Sequence, residues 1–448
     1  MTIGKRLQQV MGMVKAGVTI PVIIEVAHID SNVESILRSN GFRITTTSRI
    51  VPLIYGTADS GIINKISTLD FVLTISYDEP TAIQSFPIAM KMDQRTEIPI
   101  SQVVDAIGAR EVWDAGYTGT GVKIGIIDTG ASVKHEMLKD AIAGVYSAVP
   151  GEDVTDNNSH GSWCASAAAG RPVDVGGVTL YGVVPGAELY ILKALSNEGI
   201  GQMSWVNDCM EKAVLDFGCD IISMSLGSLV DMGGTDPTSK LVNEITNKYN
   251  VLFVIAAGNS FGIMTIGSPG GAVGAITVGS VALNLPGFDV VSTFSSKGPT
   301  TAMLIKPEIS SYGGNVIAEG ISELIFAAAA HGGYTAMAGT SMACPQVAGA
   351  MALLRQAKPD LSRNEVEAIF AEVGFPHPKD NLTGYGVIRV DRMLERLFAQ
   401  HGPLLQIGKV LEFSQSLMTY PMTLLPRDDA EHDQLNVVRL PVIQRSRG

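Results

Sequence analysis

Cysteine is scarce in this 448-residue chain, and the four that occur, Cys164, Cys209, Cys219 and Cys344, are too few and too scattered for a disulfide framework. No pair of them has the spacing of a metal clamp. Charged residues make up only 17% of the chain and the formal net charge is −12. A chain so acidic lacks the clustered Lys and Arg that nucleic acid or an anionic lipid surface demands, so neither is an expected partner. No run reaches the roughly 18 apolar residues of a membrane-spanning helix. The first fifteen or so residues carry Lys5, Arg6 and Lys15 without an unbroken apolar core ahead of a small-residue cleavage site, so they do not read as a signal peptide. A cytoplasmic location is therefore the default expectation, with unconventional export left open.

What is abundant points to a large folded core. Hydrophobic residues are 46% of the chain, which excludes disorder for most of it, and 48 glycines suit many tight turns between strands and helices. The chain divides into zones. Residues 1–19 read as an N-terminal extension. Residues 20–78 form a small α+β unit: a strand at Pro21–Val26, a helix capped by Asp30 or Ser31, a strand near Arg43–Tyr55, a helix near Ala58–Ser67 and a strand at Phe71–Tyr77. That order is βαββαβ-like, the ferredoxin-like pattern, which hosts many unrelated functions. Residues 79–100, with Pro80, Pro87 and Pro99, read as a polar linker. Residues 101–396 form the main domain, and 397–448 is an extension without periodicity or motif.

In the main domain, short apolar runs at Val122–Ile127, Leu189–Leu195, Ile221–Ser225, Val251–Ala256 and Ala275–Ser280 read as strands, with helices near 203–217 and 238–249. Apolar strands alternating with helices predict a doubly wound parallel sheet covered on both faces. Active sites of such sheets lie at the carboxyl ends of strands, where Asp128 falls.

Three runs carry chemistry. Gly339-Thr340-Ser341-Met342-Ala343-Cys344-Pro345 puts a hydroxyl at the start of an apolar helix, read as Cys344–Gln356 with Thr340 or Ser341 as its cap and Pro345 in its first turn. Such a start aims free N–H groups and partial positive charge at a reacting oxygen. Asp156-Asn157-Asn158-Ser159-His160-Gly161 supplies an imidazole at another helix start, and Ile126-Ile127-Asp128-Thr129-Gly130 a carboxylate at a strand end. A serine hydroxyl is a weak nucleophile until a base takes its proton, and a carboxylate can hold that base in the useful tautomer. Ala256-Ala257-Gly258-Asn259 adds a side-chain amide able to receive a negative oxygen. Taken singly, Ser341 could be a cap, His160 structural, Asp128 a turn former and Asn259 an ordinary loop residue.

Together, and in the order Asp, His, Ser, these runs resemble the subtilisin-like serine peptidases (subtilases) over roughly residues 98–396. The resemblance implies a subtilisin-like sheet and a serine endopeptidase acting through Asp128, His160, Ser341 and the oxyanion donor Asn259. It implies polypeptide substrates, paired through Ser225, Leu226 and Gly227 and received in a first pocket walled by Ala256, Ala257 and Gly258 and by Ser268-Pro269-Gly270. Because those walls are small and none is acidic, an apolar or aromatic residue is expected ahead of the scissile bond. It also implies that residues 20–78 are an inhibitor-type propeptide, an intramolecular partner removed by self-processing within 79–100. The chain departs from the family at several points. Met137 stands where the main calcium site has its aspartate, so calcium is doubtful and no metal ligand set is assigned. His135-Glu136 lacks a second histidine, with Lys139 in its place, which argues against zinc. Cys164 and Cys344 lie one helical turn beyond His160 and Ser341, and Gln346 replaces a histidine.

Two other readings compete. An idle scaffold of the same fold would bind peptide along Ser225–Gly227 without cutting it. An α/β-hydrolase would need Gly at 343 and its histidine after Ser341, yet His377, His401 and His432 lie in unsuitable contexts.

Overall fold

In the computed structural model, which describes residues 2–85, 94–230, 232–283, 290–316, 321–374 and 378–401, seven short apolar strands form one sheet. Their order is Ile309–Tyr312, Ala275–Val281, Leu252–Ala256, Ile221–Met224, Lys123–Asp128, Glu188–Lys193 and Ile142–Ser147. Every neighbouring pair is parallel. The five strands read from the sequence are present within two residues at either end; the two edge strands, Ile142–Ser147 and Ile309–Tyr312, are additions. Ile142–Ser147 alternates half-buried and exposed residues and so lacks the continuous apolar run of a central strand.

Helices cover both faces. One side packs His160–Ala169, Thr340–Ala357, Arg363–Val373 and Val390–His401 into the larger core. The other packs Met203–Leu215 and Pro237–Tyr249 into a second core with Ile222, Phe253 and Ile255. Leu397 is buried in the larger core within Val390–His401, so the main domain continues past residue 396. The remainder of the 397–448 extension, from 402 on, lies outside the described residues.

The N-terminal unit is a five-stranded sheet in the order Thr2–Ile3, Val72–Tyr77, Ile20–Val26, Leu53–Ala58, Arg43–Thr47. Thr2–Ile3 is parallel to its neighbour and the other pairs are antiparallel. Helices Ser31–Ser39 and Ser60–Ile66 begin at Asp30 and Asp59, whose carboxylates accept the N–H of Val33 and Ile62. The segment read as one strand over Arg43–Tyr55 is a hairpin of two. Residues 1–19 are not a separate extension either: helix Lys5–Met13 buries Leu7 in the same core as Val22, Ile24 and Val26.

Alternation along Ile20–Val26 fixes how this unit docks. Val22, Ile24 and Val26 face its own core, while Ile23, with Leu53 and Tyr55, packs against Met203, Val206 and Met210 of the main domain. Polar contacts surround that patch. Glu211 accepts from the Ser48 hydroxyl and from the Arg49 N–H (2.8 Å), Asn207 donates to the Tyr55 hydroxyl (3.1 Å), and Lys240 pairs with Glu25 (2.8 Å). Asp78 accepts the Ser204 N–H at 2.9 Å, satisfying a free donor at the start of Met203–Leu215.

The segment read as a polar linker is not loose. Pro80–Ile83 is the middle strand of a three-stranded antiparallel sheet, between Ile200–Gln202 and Leu226–Gly227. Gln94–Pro99 runs parallel to Ile321–Phe326.

Candidate active site

The carboxyl ends of three adjacent strands build the site. Asp128 closes Lys123–Asp128, Ser225 follows Ile221–Met224, and Ala257, Gly258 and Asn259 follow Leu252–Ala256. Two helix starts, at His160 and Thr340, complete it.

His160 Nδ1 lies 2.7 Å from Asp128 Oδ1, and both residues are buried. Asp128 Oδ1 also accepts the Thr129 N–H at 2.7 Å. The carboxylate of Asp156 ties the histidine loop down: Oδ1 accepts from the N–H groups of Asn158 and Ser159 and from the Thr129 hydroxyl, and Oδ2 from the N–H and hydroxyl of Ser162. Gly161 passes so close to Gly130 that a Cβ there would collide with the Gly130 carbonyl oxygen. The Asp-Thr-Gly and His-Gly runs are therefore one interlocked unit.

Helix Thr340–Ala357 starts a turn earlier than its apolar run suggests, with Gly339 rather than Thr340 or Ser341 as its cap. Pro345 consequently lies inside the helix, where a missing N–H and a steric clash ordinarily cost about 3 kcal/mol. The carbonyl that this N–H would have served is that of Ser341. It accepts instead from the Ser225 hydroxyl at 2.9 Å and the Cys164 thiol at 3.6 Å. The proline thus frees the Ser341 carbonyl for contact with Ser225 and with Cys164 of the helix His160–Ala169.

Residues 80–84 occupy the cleft as a peptide would. Ile83 and Ala82 pair with Leu226 and Gly227, and the Gln84 N–H faces the Ser225 carbonyl at 3.3 Å. The Ser341 N–H donates to the Gln84 carbonyl oxygen at 3.1 Å, while the Gln84 N–H also donates to Ser341 Oγ at 3.0 Å. Ser341 thus contacts both the N–H and the carbonyl oxygen of Gln84. The first pocket holds the polar side chain of Gln84 rather than an apolar one. A Cβ on Gly227 would meet both Ser268 O (3.3 Å) and Gln84 Nε2 (3.7 Å), and Ser268 is braced by its hydroxyl bond to Asp236 (2.7 Å). Ala256 and Ala257 are buried, and the Gly258 N–H donates to the Thr340 hydroxyl at 3.2 Å.

Three buried polar atoms in this cluster have no hydrogen-bond partner: Asn259 Nδ2, His160 Nε2 and Asp128 Oδ2. Leaving such atoms unpaired costs roughly 1–3 kcal/mol each, and a fold tolerates that where the partner arrives only during a reaction. Ser341 Oγ donates to the Ser225 carbonyl at 2.9 Å rather than to His160.

Residues 119–386 match the family described as Subtilase family. The chain belongs to the subtilase family. It is 33% identical to subtilisin DY of Bacillus licheniformis over 294 residues, 64% of this chain and 96% of that protein. It is 30% identical to alkaline elastase YaB of Bacillus sp. (strain YaB) over 68% of this chain and 75% of that one. Membrane-bound transcription factor site-1 protease of Mus musculus matches at 31% over 56% of this chain and 22% of its own length. As a subtilase, the chain is a serine-type endopeptidase that hydrolyses polypeptides.

Subtilases commonly bind calcium, but the corner around Met137 does not fit that ion. Met137 is buried in the larger core with Leu138, Trp163 and Ala168, and its thioether is no ligand for a hard cation that takes oxygen. Next to it, His135 has both ring nitrogens engaged, with Gly333 O (2.9 Å) and the Met137 N–H (3.1 Å), which leaves none for zinc. Among the described residues, the group of His, Cys and carboxylate close enough to share a metal is Asp128, His160 and Cys164, whose ligand atoms lie within 4.8 Å. Its Asp128 Oδ1 and His160 Nδ1 are already bonded to each other. All four cysteines are free and buried. Burial raises the Cys164 thiol well above its ordinary range and that of Cys344 to about 12, so both stay protonated packing groups. Gln346 is satisfied by Ser311, Tyr312 and Met342 and fastens its helix to the edge strand Ile309–Tyr312.

Sequence reasoning missed Gln84, whose partner lies 257 positions away, and the bracing residues Asp156 and Thr340. Asp156 had a signal, since it begins the histidine run; Gln84 had none beyond its place after a folded unit.

Proposed function

We propose that this subtilase is made as a self-inhibited precursor that cuts its own Gln84–Ser85 bond, with residues 1–84 as the propeptide. The observation that carries the reading is the pair of contacts between Ser341 and Gln84: the Ser341 N–H on the Gln84 carbonyl oxygen and the Gln84 N–H on the Ser341 hydroxyl oxygen.

The geometry supports the following roles. Ser341 Oγ turns from the Ser225 carbonyl, gives its proton to His160 Nε2 and attacks the Gln84 carbonyl carbon. Asp128 holds the His160 proton on Nδ1 and stabilises the resulting cation. The oxygen that becomes negative is met by the Ser341 N–H and by Asn259 Nδ2. His160 then returns the proton to the Ser85 nitrogen as the C–N bond breaks, leaving an acyl-enzyme that water hydrolyses by the same relay. No metal is needed in any of these steps. An external substrate would follow the path of residues 80–84 along Ser225, Leu226 and Gly227, with its first side chain between Gly227 and Ala256–Gly258.

The idle-scaffold reading draws support from one observation, the Ser341 hydroxyl being bonded to Ser225 rather than to His160. A fluorophosphonate probe separates the two, because only a serine that can pass its proton to a base reacts. Labelling lost in Ser341→Ala supports the peptidase. An unlabelled parent chain that stays full length at 448 residues sinks it.

A further inference from the structure

The pocket beside Ser341 is wired for a primary carboxamide. Gln84 is 5% exposed, and its side chain makes three bonds there. Nε2 donates to the Gly227 carbonyl at 3.1 Å and to the Ala82 carbonyl of its own strand at 3.3 Å. Oε1 accepts the Asn259 backbone N–H at 3.2 Å. The pocket itself offers one donor, the Asn259 N–H, and one acceptor, the Gly227 carbonyl, and the peptide's own Ala82 carbonyl is the third partner; all are main-chain and therefore fixed in character. Only a terminal group with an oxygen on one side and an NH₂ on the other answers all three, and only in this orientation.

From this we infer that the enzyme selects proteins at glutamine, cutting the bond on its carboxyl side; the inference rests on the peptidase reading above. The competitors each fail at a named atom. Glutamate has the right length but would turn a charged oxygen toward the carbonyls of Gly227 and Ala82. Methionine and leucine fill the space while leaving the Asn259 N–H and the Gly227 carbonyl unpaired in a water-poor pocket. Asparagine is one methylene too short to reach both walls. Pockets that hydrogen-bond a substrate group reject analogues lacking it far more strongly than apolar pockets reject a missing methylene. The selectivity is built from backbone, so no single side chain marks it in the sequence, and the small wall residues that suggest an apolar pocket serve to bring that backbone close.

The test uses the self-processed enzyme and quenched peptides Pro-Thr-Ala-Ile-Xaa-Ser, the sequence of residues 80–85 with Xaa varied as Gln, Glu, Met, Leu, Phe and Asn. Glutamine is expected to give the highest kcat/KM, at least about tenfold above methionine and more above glutamate. Methionine, leucine or phenylalanine cut as fast as glutamine overturns the inference while leaving the peptidase reading intact. So does a fluorophosphonate-reactive enzyme that cuts none of the peptides. Failure of every peptide together with failure of the probe removes the peptidase reading and this inference with it.

Discussion

Thr340 donates twice to Asn259 Oδ1, from its N–H at 3.0 Å and its hydroxyl at 2.9 Å. Both bonds consume the acceptor end of the amide, so the donor end is left facing the Gln84 carbonyl side of the cleft without a partner. Asn259→Ala is expected to lower kcat by about 10²–10³ with little change in KM; that magnitude is the one known for the oxyanion asparagine of subtilisin itself. Thr340→Val removes one of the two orienting bonds and is expected to cost up to about tenfold in kcat. Steady-state kinetics on a single peptide check both. Equal losses for the two variants would mean that Thr340 does more than orient the amide.

Gly339 has φ +157, and a Cβ there would collide with the Gln84 carbonyl oxygen. Gly339→Ala should abolish self-cleavage and peptide turnover by filling the place of the carbonyl. Intact mass measured on the purified variant tests this: accumulation of uncut 448-residue chain is the expected result.

The docking of the N-terminal unit should tighten in acid. Burial raises Asp78 from 3.8 to about 6, and burial likewise raises Glu79 and Glu211, though the Arg6 and Arg49 charges beside them act in the opposite sense. A raised carboxyl takes up a proton more readily when docked than when free. Its contribution is therefore complete below about 3.8 and is lost as pH rises through about 6. After self-cleavage, co-elution of the 1–84 fragment with the rest of the chain should be more complete at pH 5 than at pH 7.5. Asp78→Asn should retain the fragment at pH 7.5 as the parent does at pH 5, and a fragment held better at the higher pH would contradict the argument.

Glu211→Ala strips the partner from the Ser48 hydroxyl and the Arg49 N–H at once. Losing a charged acceptor from a mostly buried site costs about 1–3 kcal/mol, so the fragment should leave roughly 5–150-fold faster. Release followed by native gel after cleavage measures it. Tyr55→Phe, which loses the single bond from Asn207, should have a smaller effect in the same assay.

Much of the candidate site was legible because its groups fall in short local runs. Asp128, His160, Asn259 and Ser341 each sit where a strand ends or a helix begins, and apolar runs mark both kinds of place. The central strands were legible for the same reason: Ile221–Met224 and Leu252–Ala256 are buried on both faces and read as unbroken apolar segments. What escaped depends on partners far along the chain. Pro80–Ile83 reads as a linker because a proline opens it, yet proline is tolerated at the first residue of a strand. Helix Lys5–Met13 is only nine residues long and buries only Leu7, too short a segment to stand out. The start of Thr340–Ala357 was misplaced because Pro345 ordinarily marks a first turn, and nothing local reveals that Ser225 and Cys164 occupy the carbonyl it frees.

The strand Pro80–Ile83 is clamped on both sides, and the sheet behind it is fastened to Met203–Leu215, so on the precursor reading proposed above, severing the chain after Gln84 would not empty the cleft. Each molecule would still carry its own stopper, one for one, at a local concentration no added inhibitor could match. Awakening would then hinge on the first few copies to shed their fragment and digest those of their neighbours. A preparation should stay silent and then ignite, with a lag that shortens steeply as the protein is concentrated.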